Sequence, residues 1–101
     1  MTLDLLASVL NAHKSDRITI TGHTHSEPPP QALRKRYPSN LEYSVARATA
    51  VAMEMIGKYG VAQSRLTVAG RGESDPIAPN DTPGERAQNE RVVFEITPGG
   101  V

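Results

Sequence analysis

The stretch SNLEYSVARATAVAMEMIGKYG, Ser39 to Gly60, decides how this chain folds. Ser39-x-x-Glu42 matches a capping box, in which each side chain satisfies the other residue's free backbone N–H. Behind it Leu41, Val45, Ala48, Ala52, Met55 and Tyr59 recur at helical spacing and form one apolar stripe. Gly60 suits a C-terminal cap, because glycine enters the left-handed region without a Cβ clash. The stretch predicts a long helix with one face committed to a core.

Upstream, residues Thr24–Ser39 read as a long loop, and Pro28, Pro29 and Pro30 forbid regular structure there. Before it, Arg17–Thr21 alternates with Ile18 and Ile20 on one face, which predicts a strand ending at Gly22. Further back, Leu3, Leu6, Val9 and Leu10 recur at helical spacing, with Thr2 placed to cap and Asp4 to meet the positive end. A short helix Thr2–His13 follows, with His13 near its negative end.

Downstream, Leu66–Ala69 predicts a second strand leading into Gly70-Arg71-Gly72. The next loop carries Pro76, Pro79 and Pro83. Thr82-x-x-Glu85, with Pro83 at the first helical position, signals a brief helix. In the last strand Val92, Phe94 and Ile96 alternate with Arg91, Val93, Glu95 and Thr97.

Strands joined through helices favour parallel pairing. Ile18, Ile20, Val68, Phe94 and Ile96 are expected to line a sheet packed under Val45, Ala52, Met55 and Ile56. Three strands under two helices make a thin core, so a further strand ahead of Thr2 is expected to complete it.

The chain has 101 residues, enough for one small domain, and 1–101 reads as a single unit. Eleven basic and eleven acidic residues balance, which argues against nucleic-acid binding. There is no cysteine, so disulfides and cysteine-based zinc sites are excluded. No apolar run approaches the ~18 residues of a membrane span, and no signal peptide is visible. A domain cut from a longer exported or membrane-anchored protein fits these facts.

The motifs converge on a family. Gly22-His23-Thr24, Ser44-x-x-Arg47-Ala48, Gly70-x-Gly72-Glu73 and Asn89-x-Arg91-Val92, in this order, resemble the OmpA C-terminal-like domain. Arg36-Tyr37-Pro38-Ser39-Asn40, followed by Glu42 and Ser44, is most similar to the flagellar stator and type VI secretion inner-membrane anchor branch. The resemblance implies an α/β (α+β) sandwich: a mixed sheet of three to four strands, two main helices on one face and a short third helix. It implies noncovalent binding of peptidoglycan through the diaminopimelate residue of the stem peptide.

Three positions depart from the family pattern. His25 stands where the family has an aspartate, Glu90 replaces the first of two arginines after the asparagine, and Tyr43 replaces a leucine. Diaminopimelate presents an ammonium and a carboxylate on one carbon, which call for an anion and a fixed cation. By resemblance Arg47 grips the carboxylate, and its planar fork suits that task. Asn40 adds an amide hydrogen bond; Thr24, His25, Tyr43 and Arg91 complete the expected site. Neutral imidazole at His25 accepts only one hydrogen bond from an ammonium, so Glu27 is expected to compensate in part. His25→Asp is expected to strengthen binding.

Plainer readings stand beside these. Arg47 alone is an ordinary solvated helix residue. His23-x-His25 with Glu27 puts three metal donors close together, but no second motif supports a metal site. Arg34-Lys35-Arg36 reads as a solvated loop, and Gly70-Arg71-Gly72 as a turn rather than a phosphate loop. No serine–histidine–acid arrangement stands out, so no enzyme and no cofactor are expected.

The expected partners are peptidoglycan and other envelope or secretion-system proteins. The expected setting is the periplasm of a Gram-negative cell, and a homodimer stays open. The competing expectation is a structural module of the same fold that has lost peptidoglycan through His25.

Overall fold

The computed structural model describes residues 3–99. Helix α1 spans Leu3–Ala12 and strand β1 spans Arg17–His23; helix α2 covers Asn40–Tyr59 and β2 Leu66–Gly70. Helix α3, Pro83–Asn89, and strand β3, Arg91–Thr97, complete the order. Single 3-10 turns at Gln31–Leu33 and Gln63–Arg65 punctuate the connections. The Thr2 cap and the strand expected ahead of it lie outside the described residues.

The local signals on α2 act as its sequence dictates. Ser39 caps the helix by accepting the Glu42 backbone N–H at 3.1 Å. The Glu42 carboxylate takes the Ser39 hydroxyl at 2.8 Å rather than a backbone N–H, a variation on the expected capping box. Gly60 ends the helix at φ 68°, in the left-handed region. Thr82 and Glu85 repeat the same cap on α3.

The sheet order is β2-β1-β3. β1 and β2 run parallel, as the α2 crossover requires, in the register Ile18↔Leu66 to Gly22↔Gly70. β3 instead runs antiparallel to β1, from Arg17↔Thr97 to His23↔Arg91, so the sheet is mixed, as the resemblance implies, and the parallel pairing favoured by helical crossovers holds for β1 and β2. The seven-residue α3 is too short to carry the chain back along a strand's length. The chain therefore re-enters the sheet at the end it left, beside β1.

Leu6 and Leu10 of α1, Ile18 and Ile20 of β1, and Ala48, Ala52 and Met55 of α2 form one buried cluster with Val61. Val68 and Phe94 pack against it only partly buried. The expected core is corrected at its margins: Leu41 is 56 % exposed, Val45 40 % and Ile96 37 %. The start of α2 lies over Gly70 and Gly72, which offer no side chain to cover Leu41 and Val45. Arg65 ties α1 to the rest of the fold, donating to the carbonyls of Leu10, His13 and Asp16 at 2.7–2.9 Å.

Two close approaches fix α2 against the ends of the parallel strands. A Cβ on Gly22 would lie 2.1 Å from the Ser44 carbonyl oxygen, and one on Gly70 would lie 2.4 Å from Val45 Cγ2. Buried Ser44 accepts the Gly72 N–H at 2.9 Å and donates to the Leu41 carbonyl at 2.8 Å. The face of α2 that carries Arg47 is thereby held beside the end of β1.

Candidate functional site

β1 delivers His23, Thr24 and His25 in succession to the edge of the fold. Thr24 is buried; its N–H donates to the Gly72 carbonyl at 2.9 Å and its hydroxyl to the His25 carbonyl at 3.0 Å. It shapes the loop from a buried position. Asn40, the first residue of α2, spends its amide on the carbonyls of His25 (3.2 Å) and Glu27 (2.9 Å) and on Glu73 Oε1 (3.3 Å). Arg34 Nε holds the proline run by donating to the Pro29 carbonyl at 2.8 Å.

Between these anchors lies a cleft of about 190 Å³ lined by His25, Pro28, Pro29, Pro30, Asn40, Tyr43 and Glu90. The prolines make one wall rigid, since their φ is fixed by the ring. Tyr43 makes another, its ring 6.1 Å from that of Tyr37. The Thr24–Ser39 loop, with its three prolines, therefore forms a rigid rim to the cleft.

The charge at the cleft comes from Glu90, which lines it, and from Arg47, which pairs with Glu90 from beside it. Arg47 Nη1 donates to the His23 carbonyl at 3.2 Å and forms an ion pair with Glu90 Oε2. Glu90 Oε1 accepts the His25 backbone N–H at 3.2 Å and lies 3.3 Å from His25 Nε2. His25 Nδ1 accepts the Glu27 N–H at 3.1 Å, so a neutral ring carries its proton on Nε2, toward Glu90. About a quarter of each side chain stays accessible: 26 % for His25, 30 % for Arg47 and 24 % for Glu90.

The structure thus brings His25, Asn40, Tyr43 and Arg47 together, places Thr24 behind them, and leaves Arg91 out. Arg91 sits opposite His23 on the sheet face away from the core and donates to the Asp75 carbonyl at 2.9 Å. Glu27, expected to offer a counter-charge, points outward, 3.8 Å from Arg86, and the acid beside His25 is Glu90. Glu90 drew notice in the sequence only as a departure, because nothing local to it reveals that α3 ends beside the β1 loop.

His23 is 4 % exposed and its Nδ1 has no hydrogen-bond partner among the described residues. Burial first, and then the Arg91 guanidinium, hold its pKa below the ordinary 6.5; Asp75 opposes them and Arg71 adds to them. Its strand position separates it from His25, which turns toward Glu90. Among the described residues no group of three or more His, Cys, Asp or Glu side chains is placed to hold a metal ion. No described helix is long and apolar enough to cross a membrane.

Buried Asn89 fixes the approach of α3. Its Oδ1 accepts the N–H groups of Ile77 (2.8 Å) and Ala78 (3.0 Å), and its amide donates to the Ala78 carbonyl (2.9 Å) and Asn80 Oδ1 (3.0 Å). This holds the next residue, Glu90, in position. A wider cleft of about 600 Å³ flanks the start of α2 along Gly70–Ser74. Its charged residues, Arg71 and Glu73, are exposed and unpaired with each other, so the smaller cleft is the stronger candidate.

Comparisons with known proteins agree with this architecture. The model of the OmpA family matches residues 1–90. Outer membrane porin F of Pseudomonas aeruginosa is 36 % identical over 91 residues, covering 90 % of this chain and 24 % of the porin. A putative MotB-like protein from Desulfovibrio vulgaris superposes with a TM-score of 0.81 at 32 % identity, over 98 % of this chain and 59 % of that one. The cell wall anchor of the type VI secretion system from Pseudomonas aeruginosa gives 0.78 at 34 % identity, over 97 % and 64 %. The chain therefore spans about a quarter of the porin and about three fifths of the two solved structures.

Proposed function

Since this chain belongs to the OmpA family, we propose that it binds peptidoglycan noncovalently, through the diaminopimelate end of the stem peptide, and so anchors a larger envelope machine to the cell wall. The observation that carries this reading is the cleft at the end of β1, where the Glu90 carboxylate lines a pocket walled by prolines and a tyrosine and is paired with the Arg47 guanidinium beside it. A diaminopimelate terminus carries both charges on one carbon and meets both groups at once. Charge-assisted hydrogen bonds of this kind contribute about 1.5–3 kcal/mol each.

The likeness to a cell wall anchor and to MotB-type proteins supports the anchoring role and a periplasmic setting in a Gram-negative cell. In this reading the chain is one binding module of a longer, membrane-attached protein, and it is not an enzyme. Co-sedimentation with purified diaminopimelate-type sacculi tests it. The wild-type domain pellets with the sacculi and Arg47→Ala stays in the supernatant; a wild-type domain that stays soluble refutes the reading.

One observation favours a second reading. Arg47 already has an internal partner in Glu90, so the site is neutral without a ligand. In that reading the fold is a protein-interaction module whose ligand site has closed on itself, and no variant of the pair affects its partner contacts.

A further inference from the structure

We infer that Glu90 is the residue of this cleft that receives the ligand's ammonium group, so that the resting Arg47–Glu90 pair is a template for a zwitterion. The inference rests on the peptidoglycan reading above and assigns within it a residue that the family pattern places elsewhere. Glu90 is the one acid among the described residues that line the cleft. A carboxylate offers about four lone-pair sites. The His25 backbone N–H and Nε2 both face Oε1, and Arg47 uses one site on Oε2, which leaves capacity on Oε2 for an incoming cation.

Arg47 is similarly half used. Both contacts, to the His23 carbonyl and to Glu90, are made by Nη1. Among the described residues, Nε and Nη2 have no partner and remain for a carboxylate. An α-amino-acid terminus can therefore add its ammonium to Glu90 and its carboxylate to Arg47 without breaking the pair that holds them. His25 contributes orientation rather than charge, because its backbone N–H and its Nε2 both lie against Glu90 Oε1. The anion that the family resemblance assigns to position 25 has moved to the end of α3, at a residue where the pattern has a cation.

The opposing view makes Glu90 a plug that neutralises Arg47, and the two views predict opposite signs. The experiment is calorimetric titration of a diaminopimelate-containing stem tripeptide into wild type, Glu90→Gln and the double variant His25→Asp/Glu90→Arg, each checked for an unchanged melting temperature. If Glu90 receives the ammonium, Glu90→Gln weakens binding about ten- to a hundredfold, because one charge-assisted contact is lost. The double variant, which returns the acid to the β1 loop, then binds within about tenfold of wild type; the swap also decides the matter if Glu90→Gln fails to fold. Measurable binding by Glu90→Gln that equals or exceeds that of wild type overturns the inference and favours the plug. If wild type and both variants all fail to bind, the peptidoglycan reading itself falls, and the inference with it.

Discussion

The Ser44 hydroxyl accepts the backbone N–H of Gly72 at 2.9 Å from a position with no solvent exposure. This contact joins α2 to the turn after β2 and keeps Arg47, one helical turn further on, against the end of β1. Ser44→Ala leaves the Gly72 N–H buried and unpaired, and the expected cost is about 1–3 kcal/mol in urea denaturation. Gly22→Ala is worse, because its new methyl meets the Ser44 carbonyl at a distance no Cβ tolerates. An unchanged urea midpoint for Gly22→Ala contradicts the packing of α2 on β1.

Asn89 replaces a stretch of regular structure for the Ile77–Asn80 loop by bonding to three of its residues. Asn89→Ala therefore removes about 2–4 kcal/mol of stability and raises amide hydrogen exchange at Ile77 and Ala78 above that of the strands. Slow exchange at both amides in the variant contradicts this role.

The buried His23 sets a pH dependence whose sign follows from its lowered pKa. The unfolded chain takes up a proton near pH 6.5, whereas the native chain resists it because of burial and Arg91. Stability is therefore complete above that value and falls as pH drops below it, until the native imidazole also protonates. Urea midpoints at pH 7.5 and 5.5 for wild type and His23→Gln isolate this contribution from His13 and His25. The variant loses part of the difference; an identical difference in both proteins excludes His23 as its source.

His25→Asp gains little on its own, contrary to the sequence-based expectation. Its carboxylate would stand beside that of Glu90, whose Oε1 is already 3.3 Å from the His25 ring. Like charges at that distance disfavour joint ionisation, so the variant melts lower and its affinity for a diaminopimelate peptide rises less than about tenfold. Binding tightened a hundredfold by this single change shows that the native cleft lacks an anion.

Helix α2 was legible because its signals are local. Ser39, Glu42 and Gly60 mark its ends, and Ala48, Ala52 and Met55 mark its buried face. The outer positions of the same stripe were not, since the exposure of Leu41 and Val45 depends on glycines in another segment. Phe94 is only partly buried, so Phe94→Ala is expected to cost about 2 kcal/mol, less than Met55→Ala at about 3 kcal/mol. The ion pair of the site joins Arg47 to a residue 43 positions away. It depends on β3 returning antiparallel beside β1, which no spacing along the chain announces.

The most direct test of the cleft as a diaminopimelate site is amide and side-chain NMR mapping. A diaminopimelate stem tripeptide is titrated into the labelled domain, with a lysine-containing tripeptide as the control that keeps the ammonium but lacks the adjacent carboxylate. Saturable shifts at His25, Asn40, Glu90 and the Arg47 guanidinium are predicted for the first peptide, with the second at least about tenfold weaker. Absence of shifts at these residues, or shifts confined to Gly70–Ser74, contradicts the account.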